Sequence, residues 1–220
     1  HATVCPQEMA DIPEFDVIVS REAEGTWLDL LRQGGSDQRV LVGELGQFEN
    51  MDDLPFIDRS LWPKSPNPIW PLEGHGGWGP GPKAASIITS RRCPFHCSFC
   101  YPAERNHFVN FRRRSVGNVL AELDYIVDRW GDFGTVIFHD SEFLMHRPWL
   151  EEFIEAYPKT KRWPFWASCR ADMMAKWPDL VRDLHRKANW HCFSIGLESG
   201  CQKVLDIMNK ETTLEQNYQA

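Results

Sequence analysis

The chain has no run of about 18 consecutive apolar residues, the length a helix needs to cross a bilayer, so no membrane span is expected. The pattern of a secretory signal, a basic start followed by an apolar core, is also missing. Positive charge is scarce: 24 Lys and Arg stand against 31 Asp and Glu, a net charge of −7. The one compact basic block is Arg112-Arg113-Arg114, which reads as a solvated entrance to the helix behind it. That balance argues against a nucleic-acid partner, because backbone phosphates are held by clusters of cations. The seven cysteines do not form the even, well-spread set of a disulfide framework. They point to a reducing cytoplasm. Cys5, Cys169, Cys192 and Cys201 stand alone and read as small buried hydrophobes.

What is present is globular in kind, with 42% hydrophobic and 25% charged residues. Ten tryptophans and thirteen phenylalanines predict bulky aromatic packing or an aromatic-lined cavity. Residues 1–50 read as the end of an α/β unit. Phe15-Asp16-Val17-Ile18-Val19 has the pattern of a short buried strand, a helix follows with Thr26 near its start, and Arg39-Val40-Leu41-Val42 is a second strand. Residues 51–82 are rich in Pro, Gly and Trp and read as a connector with neither helix nor strand, packed down by its tryptophans. Residues 83–220 alternate regularly: strands near 84–90, 135–138, 165–169 and 192–197, and helices near 116–130, 149–157 and 172–188, with another starting near Cys201. Such βα alternation predicts parallel strands, in a barrel or a doubly wound sheet. Polar residues gather just after each strand, which favours the barrel-like arrangement with its chemistry on one rim. Both ends read as cut, so a fragment is expected.

The densest chemistry lies in Arg92-Cys93-Pro94-Phe95-His96-Cys97-Ser98-Phe99-Cys100, where three cysteines are spaced C-x3-C-x2-C directly after a strand. Three thiolates in so short a loop can wrap one corner of an iron–sulfur cluster and leave a fourth iron open for chemistry. The alternatives are half of a zinc site, which lacks a fourth ligand at knuckle spacing, and chance clustering of core cysteines, which the loop-forming Pro94, His96 and Ser98 disfavour.

Cys93, Cys97 and Cys100, with aromatic Phe99 before the last cysteine, resemble the signature of the radical S-adenosylmethionine (SAM) superfamily. Ser86 to Pro94, the Gly196-Leu197-Glu198-Ser199-Gly200 passage, and Asn209-Lys210 with Thr212-Thr213 resemble its cobalamin-binding branch. The stretch from Phe15 to Leu31, with Leu54-Pro55, resembles the tail of that branch's cobalamin domain and its linker. The resemblance implies a partial TIM-like (β/α) radical SAM barrel of about four βα units, preceded by the tail of a Rossmann-like cobalamin-binding domain. It implies a 4Fe-4S cluster on Cys93, Cys97 and Cys100, with SAM and cobalamin as further cofactors. Asp140 or Glu142 would accept the SAM ammonium, Arg170 would meet a carboxylate, and Glu198 a ribose or methionine group. Arg170 and Glu198 paired with each other across the rim is the plainer alternative. His139 is a candidate proton donor.

Three features depart from the family pattern. Arg92 stands where relatives carry glycine, Arg21-Glu22-Ala23-Glu24 replaces a Gly-Glu-Gly-Glu stretch, and the Asp-x-His-x-x-Gly passage of many cobalamin domains is missing.

The expected function is that of an anaerobic radical SAM enzyme, in most such relatives a cobalamin-dependent methyltransferase. It would act on an unactivated carbon, or a phosphorus, of a small molecule, with electrons from an external donor of flavodoxin or ferredoxin type. Oxidative cyclisation or ring modification without methyl transfer is the alternative within the family. A non-catalytic iron–sulfur electron carrier is the alternative outside it.

Overall fold

The computed structural model describes residues 2–3, 5–44, 48–61, 70–71, 83–100, 111–160 and 163–220. Helix α1 (Pro6–Ala10) precedes strand β1 (Ile18–Ser20), helix α2 (Glu24–Gln33) and strand β2 (Val40–Val42). β1 and β2 pair in parallel, Ile18 opposite Val40, so this segment is one βαβ unit. α2 starts two residues before Thr26, which sits inside it, and ends on Gly34 at φ 78°. There the glycine adopts the left-handed conformation that closes a helix without steric cost. Gly43 serves a different need: a Cβ there would lie 1.9 Å from the Glu22 carbonyl oxygen, so only a bare backbone fits beside that strand end.

Most of the Pro/Gly/Trp-rich connector, with Trp62 and Trp78, lies outside the described residues. Its described parts do contain regular structure, contrary to expectation. Short 3-10 turns span Met51–Asp53 and Arg59–Leu61, and β3 (Trp70–Pro71) pairs antiparallel with β4 (Lys83–Ile87).

The main sheet runs β3-β4-β7-β8-β9, with β7 (Thr135–Phe138), β8 (Phe165–Arg170) and β9 (Trp190–Gly196) parallel to β4. Each parallel strand lies beside its predecessor in the chain. A doubly wound sheet would reverse direction partway, so this order is that of a barrel wall. Helix α3 (Val116–Trp130) connects β4 to β7, capped by the Ser115 side chain accepting from the Asn118 N–H. Helix α4 (Arg147–Thr160) connects β7 to β8.

The helix expected over 172–188 is two, α5 (Ala171–Lys176) and α6 (Pro178–Ala188). Trp177 between them has ψ 59°. A proline disfavours helical backbone at the residue before it and is at home in a helix's first turn, so Pro178 ends one helix and starts the next. Helices α7 (Gln202–Ile207) and α8 (Leu214–Gln219) follow β9.

Register separates the two faces of the sheet. Ile87, Phe138, Ala167 and Phe193 line up on the face packed by the helices. Val119, Leu123, Ile126, Leu150, Phe153, Leu180 and Leu184 fill the space between. Part of the aromatic content packs here: Phe138, Phe143, Phe153, Phe165 and Trp190 are all buried, with Phe165 and Trp190 stacked at 5.8 Å. Burying each such ring contributes about 1.5–3 kcal/mol. The opposite face carries Ser86, Ile137, Trp166 and Cys192 in register, all half-buried. Of the four isolated cysteines only Cys169 is buried; Cys5 and Cys192 are half-buried and Cys201 is exposed. No helix among the described residues is long and apolar enough to cross a membrane.

Candidate functional site

Beyond β4 the chain enters a small antiparallel hairpin, β5 (Ser90–Arg91) with β6 (Arg112–Arg113), and the cysteine loop hangs from its far end. Arg92 begins the loop at φ 81°. The backbone thus keeps the left-handed angle of a glycine while carrying a side chain, at a cost of roughly 1–2 kcal/mol. Arg21, at the head of the Arg21-Glu22-Ala23-Glu24 stretch, does the same at φ 66°. Cys97 is buried, Cys93 and Cys100 are half-buried, and the Cys100 N–H donates to the Cys97 carbonyl at 3.1 Å, turning the loop back on itself. No disulfide forms among the described residues, which include all seven cysteines.

Two strand ends and one turn hold this loop. Asp140, after β7, is buried and accepts from the Thr89 N–H at 3.3 Å, the Thr89 hydroxyl at 2.8 Å and the Ser90 hydroxyl. Arg113 lies 3.9 Å away and supplies counter-charge. Arg170, ending β8, stacks its guanidinium 3.6 Å from the Phe95 ring centre and donates to Cys97 Sγ at 3.2 Å. The turn after α7 adds Met208, whose carbonyl accepts from the Ser98 N–H at 2.7 Å, and Asn209, whose side chain donates to the His96 carbonyl at 2.9 Å. The stretch around Asn209 and Lys210, legible in the sequence only as a family likeness, therefore buttresses the cysteine loop.

Glu142 is fully buried and accepts from the Leu144 N–H at 2.8 Å and the Arg170 N–H at 2.6 Å. Burial pushes its carboxyl up to about 7, those two N–H groups opposing. Asp140 and Glu142, one or the other of which was expected to accept a ligand ammonium, are thus both enclosed and bonded to backbone or hydroxyl donors. Arg170 and Glu198 do not pair with each other: Arg170 bonds Asp172 at 2.8 Å, and Glu198 bonds Lys210 at 3.1 Å. Glu198 itself sits at φ 63°, and a Cβ on Gly196 would meet its Oε1 at 2.6 Å, so that glycine makes room for the Glu198–Lys210 pair. Phe99 is half exposed, with the Lys210 ammonium 5.6 Å from its ring centre. His139 shares a hydrogen bond of 3.0 Å with Ser86 on the open face of the sheet, and desolvation lowers its pKa against the pull of Asp140.

The triple arginine is no solvated surface. Arg112 pairs with Glu22 and donates to the Phe48 carbonyl at 2.7 Å. Arg113 lies 4.4 Å from the Trp149 ring centre and donates to the Phe143 carbonyl at 2.9 Å. Arg114 pairs with buried Glu122, which also meets Arg59 at 3.3 Å. Arg91 reaches Glu24 and Glu22. Burial would raise the Glu24 carboxyl, but the Arg91 hydrogen bond and charge hold it below its usual range. The pairs of Arg112 and Arg91 with Glu22 and Glu24 tie the amino-terminal βαβ unit to the hairpin that bears the cysteines. Their partners lie up to 90 residues apart in the chain, so no local signal announces them.

The donor set can be compared with what different metal centres require. A mononuclear ion needs ligands converging on one point, and no group of three His, Cys, Asp or Glu among the described residues does so. A 4Fe-4S cluster requires instead soft thiolates distributed over different irons. Three cysteines on one turned loop, one of them held by a cationic guanidinium, fit that requirement by chemistry and placement.

Residues 87–220 match the radical SAM superfamily, and the chain belongs to that superfamily. A bound 4Fe-4S cluster and SAM are what membership implies. The chain is 35% identical to the anaerobic magnesium-protoporphyrin IX monomethyl ester cyclase of Rubrivivax gelatinosus, over 98% of its own length and 40% of the relative's. It is 25% identical to the cytidylyl-2-hydroxyethylphosphonate methyltransferase of Streptomyces wedmorensis, over 98% of its length and 46% of the relative's. The chain thus spans less than half the length of these curated relatives. A solved radical SAM methyltransferase from Kitasatospora setae, with tryptophan and a SAM analogue bound, overlaps 61% of this chain and 26% of its own. Its TM-score is 0.44 at 19% identity, a likeness that carries no weight for the reaction.

Proposed function

We propose that Cys93, Cys97 and Cys100 hold a 4Fe-4S cluster and that the protein cleaves SAM reductively to act on an unactivated carbon, or a phosphorus, of a small molecule. The observation that carries this is the turned three-cysteine loop at the carboxyl rim of a parallel barrel wall, within the matched residues. When bound, the cluster supplies the electron that breaks the sulfur–carbon bond of SAM, giving a 5′-deoxyadenosyl radical. The chain's own contribution is placement. Asp140 locks the loop's base onto β7, Arg170 and Asn209 hold its centre, and Glu142 keeps the β8 end in line. The electron would come from an external one-electron donor of flavodoxin or ferredoxin type.

Two outcomes are proposed for the radical. Cobalamin-dependent methyl transfer, to carbon or phosphorus, is supported by the methyltransferase relative. It is also supported by the parallel β1–α2–β2 unit, whose exposed Trp27, Leu28 and Leu31 suit part of a larger Rossmann-like cobalamin domain over residues 1–50. Ring-forming oxidation of a magnesium-protoporphyrin monomethyl ester is the second reading, favoured by 35% identity to a cyclase against 25% to a methyltransferase.

Anaerobic reconstitution tests the common core: the wild-type chain should take up a 4Fe-4S cluster and, with SAM and a strong reductant, release 5′-deoxyadenosine. Cys97→Ala should lose both, and an intact cluster in that variant would remove the assignment. Methyl-labelled SAM then separates the outcomes, since label appears in product only for methyl transfer.

A further inference from the structure

Arg170 does not project from the rim as a ligand-seeking arginine would. It is 5% exposed and makes four directed bonds. Nε donates to Asp172 at 2.8 Å, Nη2 to the Lys210 carbonyl and to Thr212 Oγ1 at 3.2 Å, and Nη1 to Cys97 Sγ at 3.2 Å. Phe95, two residues before Cys97, covers the face of the guanidinium. The planar fork is therefore pre-set by the 210–212 segment and Asp172 before it meets the sulfur. Its charge is permanent, and in a buried position little solvent screens it.

We propose that Arg170 is a positioning residue for the cluster, donating an N–H···S hydrogen bond to the Cys97 ligand and stabilising the electron that the cluster accepts from an external one-electron donor. This rests on the reading that Cys97 is a cluster ligand. Reduction adds negative charge to the cluster and its sulfurs, so a fixed cation and a hydrogen bond at one sulfur favour the reduced form. Hydrogen bonds to sulfur and net charge are the protein's levers on such potentials. Asp172 opposes this by compensating the guanidinium, and removing either charge should move the potential in opposite directions.

The test is an anaerobic redox titration of the full chain after reconstitution, followed by the electron paramagnetic resonance of the reduced cluster, with iron content measured in parallel. R170Q should be harder to reduce, its reduction equilibrium falling about tenfold, equivalent to about 59 mV for a one-electron couple. D172N, which keeps an acceptor oxygen for Nε, should shift the midpoint the other way. A midpoint in R170Q equal to wild type, or a shift of the same sign in both variants, overturns the proposal. If R170Q does not fold, D172N decides alone: an unchanged or more negative midpoint overturns it. A wild-type chain that takes up no cluster defeats the cluster reading itself, and this inference with it; a wild-type cluster indifferent to both substitutions defeats this inference only.

Discussion

Glu142→Gln should flatten the pH dependence of stability. The carboxyl is enclosed between β7 and β8, and burial lifts it from 4.5 to about 7. The folded state thus binds this proton more tightly than the unfolded chain does. Its stabilising contribution is complete below about pH 4.5 and is lost as pH rises through about 7, where a buried carboxylate must ionise. At about 1.36 kcal/mol per pH unit, the gap corresponds to about 3 kcal/mol. For a chain of this size that is about 6–12 °C in Tm. Gln is neutral throughout and keeps one acceptor oxygen for the Leu144 or Arg170 N–H. Its amide group faces the other donor, a penalty that lowers the curve at every pH without tilting it. Thermal unfolding followed by circular dichroism from pH 4.5 to 8 reads the difference directly, because the other carboxylates titrate alike in both proteins. The wild-type curve should fall relative to the variant by that amount across the window. Parallel curves would refute the claim that Glu142 is held protonated below neutrality.

Glu122→Gln should cost about 3–5 kcal/mol, since it leaves Arg59 and Arg114 as buried cations without a counter-charge; urea unfolding showing a loss under about 1 kcal/mol would contradict that. Gly43→Ala should destabilise by about 1–3 kcal/mol, because the new methyl meets the Glu22 carbonyl at 1.9 Å and the strand must move. As Glu22 carries Arg112 and Arg91, the same variant should speed proteolysis between the βαβ unit and the hairpin, and unchanged cleavage would count against the ionic tie.

How far the chain could be read in advance depended on the range of the interactions involved. Helix α3 was legible near its observed bounds, because Val116, Val119, Leu123 and Ile126 repeat at helical spacing. β7 and β8 were legible as short apolar runs, and the cysteine spacing stood out because all its members lie within one loop. The break at Trp177 was written in Pro178 but masked by apolar periodicity running through it on both sides.

The sequence by itself determined where the four parallel strands of the main sheet and helices α3 and α4 lie, and which loop carries the soft donors, since these follow from local periodicity and spacing. Only the tertiary structure decided that the strands follow one another around a barrel wall, because strand order is a matter of crossovers that leave no mark on local pattern. It also decided what the charged residues do. Asp140 and Glu142 stood in the right place to greet a ligand and turn out to brace backbone, while Arg112, Arg113 and Arg114 looked solvated and are packed. A charge declares its sign in the sequence. Its partner, and hence its role, is settled by whichever distant segment folds against it before water can.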